Sequence, residues 1–136
     1  MNDCIFCKIV KGEIPAHKVY EDDKVYAFLD IKPLSKGHTL VLPKEHFENI
    51  FDIPKDLYGY MFEVAKEIAG HIKDKYNPEG MFINQNNGEM AGQSIMHVHL
   101  HIKPIYDESQ RHREEGKRME LSKEEMEKIC SDLKIS

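Results

Sequence analysis

Apolar and polar residues change their spacing several times along this chain, and each change marks an expected element. Ile5, Phe6, Ile9 and Val10 fit one short helix, which Gly12 and Pro15 end. Val19-Tyr20-Glu21 and Val25–Leu29 read as two strands around the turn Asp22-Asp23-Lys24, with Asp30 just beyond the second. A loop from Pro33 to Gly37 leads into a third strand, His38–Leu42, which Pro43 stops. Leu57, Met61, Ala65, Ile68 and Ile72 recur at spacings of three and four, so a long helix is expected from Pro54 to Tyr76, closed by Asn77-Pro78-Glu79-Gly80. Met81–Gln85 is a fourth strand, and Met96–Lys103 a fifth in which histidines alternate strictly with aliphatic residues. Ser122-Lys123-Glu124-Glu125 is a capping-box pattern and should start a last helix with a narrow apolar stripe at Met126, Ile129, Cys130 and Leu133. Three strands, a helix and two further strands predict an α+β fold, an antiparallel sheet with helices mainly on one face.

Length and charge narrow the class further. A chain of 136 residues suggests one domain. The net charge of −5 offers no basic field for nucleic acid or an anionic membrane. No apolar run is long enough to span a bilayer. Met1-Asn2-Asp3-Cys4 has neither the basic nor the apolar region of a secretory signal. Three cysteines, an odd number, argue against a disulfide framework, so the expected compartment is the cytoplasm.

Three of the chain's eight histidines, His97, His99 and His101, fall in the fifth strand. On an extended strand Val98, Leu100 and Ile102 face a core and the histidines line the opposite surface, neighbours about 6.7 Å apart and the outer pair about 13 Å apart. One ion reaches two of them but not all three, so the row should divide its labour, and two readings stay open for it: metal ligation by neutral imidazole, and nucleophilic or acid–base chemistry near neutral pH. Cys4-Ile5-Phe6-Cys7 is a C-x-x-C pair. A redox pair wants a buried strand before it, and only three residues precede Cys4, so half of a tetrahedral zinc site is the favoured reading over two packed thiols. Between the last two strands, Gly88 and Gly92 permit positive φ, while Asn86 and Ser94 add donors, which suits an anion cradle beside the histidines.

These residues together resemble the histidine triad (HIT) superfamily, nearest its Hint-like branch. The resemblance is carried by Ala91-Gly92-Gln93-Ser94, His97-Val98-His99-Leu100-His101-Ile102, Phe28-Leu29-Asp30-Ile31 and Gly37–Lys44, and covers roughly residues 4 to 106. It implies a HIT-like roll with a five-stranded antiparallel sheet, one long helix and short helices, in a domain of residues 1–106. Residues 107–136 would be a charged C-terminal extension, with a stretch from Asp107 to Arg118 expected to be mobile and a helix from 122.

The resemblance also implies a nucleotide hydrolase or nucleotidyl transferase acting on purine nucleoside phosphoramidates or related conjugates. Its catalytic residues would be His99, the nucleophile that forms a nucleotidyl-histidine intermediate, and His101, which contacts the phosphate. Asn86, Gly92 and Ser94 match the family's phosphate loop, Asp30 its ribose carboxylate, and Phe6, Ile9, Phe28 and Ile31 its base pocket. Members with the C-x-x-C pair resemble galactose-phosphate uridylyltransferases, where the first motif histidine binds zinc. The set here is Cys4, Cys7, His46 and His97, a structural site with no open position. A homodimer is implied as well. Dinucleoside polyphosphate hydrolysis by the same covalent route is an alternative, and a zinc-stabilised nucleotide-binding regulator is another. No tryptophan is present, so the family's aromatic C-terminal signature is missing and leaving-group preference does not transfer.

Overall fold

The structure, a computed structural model, describes residues 3–111 and 118–135. Its strands are β1 (Lys18–Glu21), β2 (Val25–Leu29), β3 (Thr39–Pro43), β4 (Gly80–Asn84) and β5 (Leu100–Ile105). Its helices are α1 (Ile5–Val10), α2 (Lys55–Tyr76) and α3 (Lys123–Leu133). The strands form one antiparallel sheet in the order β1-β2-β3-β5-β4, the α+β architecture expected from the pattern.

Strands β2 and β3 are buried along their whole length, because alternate side chains enter two different cores. Val25, Ala27, Leu29 and Val41 pack with Leu100 and Ile102 beneath Met61, Ala65, Ile68 and Ile72 of α2. Tyr26, Phe28, Leu40 and Leu42 face the other way and meet Phe6 and Ile9 of α1. The long helix thus covers one face and the short one covers part of the opposite face, leaving room there for a cavity. Asn77 ends α2 in a left-handed conformation (φ 47°), its N–H held by the Lys73 carbonyl at 2.9 Å.

The histidine segment departs from the expected strand. Ladder pairing begins at Leu100, since the Val98 N–H donates to the Phe47 carbonyl (2.8 Å) outside the sheet. The inward positions are nevertheless as expected, with Val98, Leu100 and Ile102 fully buried. His97 and His99 are buried too, so the histidine side is a second interior rather than a wet face.

Helix α3 starts at the expected capping box, Ser122 and Glu125 each accepting the other's backbone N–H. Its Met126, Ile129 and Leu133 enter the same core as α2. The Ile135 N–H donates to the Val19 carbonyl (2.8 Å) and the Cys130 thiol to the Lys18 carbonyl (3.2 Å), so the chain end covers the outer edge of β1. At the other edge β4 has no outer partner among the described residues, and Phe82 and Ile83 are exposed there. Within the charged stretch, Glu108–Gln110 form a short 3₁₀ turn capped by Asp107. Residues 112–117, part of the stretch expected to be mobile, lie outside the described residues. No helix among the described residues is long and apolar enough to cross a membrane.

Candidate active site and metal-ligand cluster

The α1 face of the sheet holds a cavity of about 940 Å³, within the roughly 300–1,000 Å³ typical of small-molecule sites. Sheet register builds its floor: Phe28 pairs with Leu40 across β2 and β3, and Leu40 with His101 across β3 and β5. Phe6 closes one side, its ring edge-on to Phe28 at 5.6 Å and to His99 at 5.0 Å. Phe6, Ile9, Phe28, Asp30, Ile31, Ser94, His99 and His101 all line this one cavity.

His99 has a defined tautomer. Its Nδ1 lies 2.7 Å from the His97 carbonyl oxygen, which only accepts, so Nδ1 carries the proton. The lone pair is therefore on Nε2, at the far edge of the ring. Burial holds this imidazole below its ordinary pKa, opposed by the hydrogen bond to His97 and the charge of Asp30, and the ring stays neutral at pH 7.

A second imidazole relay fixes His101. The Leu34 N–H can only donate and lies 3.1 Å from His38 Nδ1, so His38 carries its proton on Nε2. That Nε2 is 3.0 Å from His101 Nδ1, which must accept. His101 consequently keeps its own proton on Nε2. Burial, together with neighbouring His99, His38, Lys103 and Arg118, keeps His101 from taking a second proton, and His38 is likewise held below the ordinary histidine value, chiefly by burial. One ring thus presents a lone pair and the other a donor, 4.9 Å apart between centroids.

Both oxygens of Asp30 are engaged. Oδ1 accepts the Lys32 N–H at 2.9 Å, and Oδ2 accepts Arg118 Nη1 at 2.9 Å, with His38 Nε2 3.8 Å away. Asp30, His38 and His101 also bring potential ligand atoms within 4.8 Å of one another. The relay and the Arg118 pair already account for that closeness.

Asn86 and Gly92 stand outside the cavity lining. Gly92 lies at φ +90°, a conformation that favours glycine, and a Cβ there would sit 2.9 Å from Asn86 Nδ2, so the Asn86 amide would have to shift to admit one. Buried Gln93 fixes this loop, accepting from the Gly88 N–H (2.8 Å) and donating to the Glu48 (2.6 Å) and Ile95 (3.0 Å) carbonyls.

Cys4, Cys7, His46 and His97 converge 93 positions apart in sequence at their extremes. Cys4 caps α1, its sulfur accepting the Cys7 N–H. His97 Nδ1 is 3.4 Å from Cys4 Sγ, 3.5 Å from Cys7 Sγ and 3.2 Å from His46 Nδ1, while His46 Nδ1 is 3.4 Å from Cys7 Sγ. Tetrahedral zinc with Zn–S of about 2.3 Å and Zn–N of about 2.0–2.1 Å has ligand–ligand edges of roughly 3.3–3.8 Å, so the set fits. The His97 Nε2–H is held by the Pro43 carbonyl at 2.8 Å, which leaves Nδ1 bare for a metal. These four residues could hold a metal ion.

Residues 11–108 match the HIT domain family. The chain belongs to the HIT family. Against the Bacillus subtilis protein named Protein hit it is 51% identical over 104 residues, covering 76% of this chain and 72% of that one. Against the adenosine 5'-monophosphoramidase HNT1 of Candida albicans it is 43% identical over 110 residues, covering 78% and 72%. The crystal structure of a zinc-bound histidine triad family protein from Mycobacterium smegmatis is similar at a TM-score of 0.80 and 32% identity, covering 96% of this chain and 93% of that one.

Two residues at the HIT cavity carry no signal in the histidine motif. His38 begins an apolar strand segment as a lone histidine, 63 positions from its partner His101. Arg118 ends the charged stretch expected to be mobile, yet it lines the cavity beside Asp30.

Proposed function

We propose that this HIT protein hydrolyses purine nucleoside 5'-phosphoramidates or related nucleotide conjugates through a nucleotidyl-histidine intermediate. The observation that carries the reading is the His99 Nδ1 bond to the His97 carbonyl, because it reserves Nε2 of this buried imidazole as a neutral nucleophile at the cavity wall. Nε2 attacks the α-phosphorus, the bond to nitrogen breaks, and the leaving nitrogen takes up a proton. Water then cleaves the phosphorus–Nε2 bond, releasing nucleoside monophosphate and restoring His99. His101, presenting Nε2–H, donates to the phosphoryl oxygens as their charge grows, joined by Ser94, the member of the Asn86, Gly92 and Ser94 loop that lines the cavity. Phe6, Ile9, Phe28 and Ile31 hold the base, and Asp30 holds the ribose. The similarity to an adenosine 5'-monophosphoramidase supports the substrate class.

Cys4, Cys7, His46 and His97 would hold zinc. Zinc there would act as a structural cross-link, tying the start of α1 and the loop after β3 to the histidine segment. A cytoplasmic location is part of the proposal, and it suits three cysteines that form no disulfide among the described residues. A homodimer through β4 is part of the proposal, supported by its open edge and its exposed Phe82 and Ile83.

The test is turnover of adenosine 5'-phosphoramidate by the full chain. Release of AMP that His99→Asn abolishes, with AMP binding retained, is expected. Undiminished turnover by His99→Asn would reject the assignment.

A further inference from the structure

We propose that Arg118 is a specificity-determining residue, the donor half of a reader for the vicinal diol of the substrate sugar, with Asp30 as the acceptor half. The inference rests on the reading that a nucleotide occupies the cavity.

Arg118 is held in place by the chain around it. Its Nη1 donates to Asp30 Oδ2 at 2.9 Å and to the Lys32 carbonyl at 2.6 Å. The next residue anchors the backbone, since the Met119 N–H donates to the Pro33 carbonyl at 2.7 Å. Leu121 then packs against the main core and Ser122 caps α3. The guanidinium is therefore fixed against the loop after β2 from two sides, and is no wandering surface charge.

Its position is that of a wall and not of a plug. Arg118 lines the same cavity as His99 and His101, joined there by Lys123 and Glu127 of α3, and about 940 Å³ stays open with all of them seated.

The chemistry of the pair matches a diol. A carboxylate only accepts hydrogen bonds, and a guanidinium only donates them from a rigid fork. Each hydroxyl of a vicinal diol does both. Adjacent acceptor and donor groups can thus satisfy two neighbouring hydroxyls at once, whereas a deoxy sugar would leave one of them unmatched. Arg118 also balances the charge of Asp30, which would otherwise repel an anionic nucleotide. Both side chains are mostly buried, 21% and 14% exposed, so the pair is little screened by water.

The experiment compares adenosine 5'-phosphoramidate with its 2'-deoxy counterpart on the full chain and on Arg118→Ala and Arg118→Lys, with melting temperature as a check on the tail. The ribo over deoxy preference in kcat/KM should shrink about tenfold in Arg118→Ala, through KM and with kcat held, because one charge-assisted hydrogen bond is lost. Arg118→Lys keeps the charge without the fork and should fall between. Equal losses for both substrates, or tighter ribonucleotide binding by Arg118→Ala, would overturn the proposal alone. A wild-type chain that neither binds nor turns over either nucleotide would instead remove the functional reading beneath it.

Discussion

His38 Nε2 lies 3.0 Å from His101 Nδ1, and the Leu34 N–H behind His38 fixes the direction of that bond. A backbone amide thus decides, through two imidazoles, that His101 shows a donor to the cavity. His38 is a positioning residue, and His38→Ala should lower kcat about tenfold or more while changing KM little. Leaving the Leu34 N–H unpaired should cost about 1–3 kcal/mol of stability as well. Steady-state kinetics beside denaturant unfolding would separate the two effects, and an unchanged kcat would remove His38 from the account.

The same pair predicts how stability follows pH. Burial depresses the pKa of both His38 and His101 in the folded state. Below the ordinary value of about 6.5 the unfolded chain takes up protons that the folded chain refuses, so stability is present above that pH and is lost as pH falls. Each imidazole contributes a slope of up to about 1.4 kcal/mol per pH unit in that window. Urea midpoints should decline from pH 7.5 to pH 5.5, and less steeply in His38→Gln. A midpoint that rises toward acid would contradict the neutral relay.

Helix α3 is a structural part of the fold by its packing. Leu133 is 1% exposed, and its Cδ1 lies 3.5 Å from where a Cβ on Gly37 would be. Leu133→Ala should cost about 2–5 kcal/mol. A melting temperature within a degree or so of wild type would mean that the helix is only loosely docked.

Much of this was legible in the chain, and the exceptions share a cause. Alternation marked Val98, Leu100 and Ile102 as inward residues because period two is a local property. The start of β5 at Leu100 was not legible, since it depends on Val98 being drawn to Phe47, 51 positions away. Cys4 and Cys7 announced half a metal site, and His46 completed it only through the family resemblance. His38 and Arg118 escaped because their meaning lies in partners 63 and 88 positions distant. The stripe of Met126, Ile129 and Leu133 was visible, but no spacing told which surface it would meet.

Metal content should separate neighbours in the motif. If the proposed zinc site is formed, His97→Asn and Cys7→Ser should lose zinc and melt at lower temperature, because each removes one of the four residues that could hold a metal ion. His99→Asn should keep its zinc, as its Nδ1 is committed to the His97 carbonyl. Elemental analysis of protein purified without chelator decides this, and zinc lost from His99→Asn would contradict the division.

The central claim is that phosphorus bonds to His99 and to no other histidine. Rapid quench of the full chain with adenosine 5'-phosphoramidate, followed by peptide mass spectrometry, tests it directly. The account predicts one added nucleotidyl group on His99, formed and consumed within a turnover and absent from His99→Asn. An adduct on His97 or His101, or turnover with no adduct under conditions that preserve phosphorus–imidazole bonds, would contradict it.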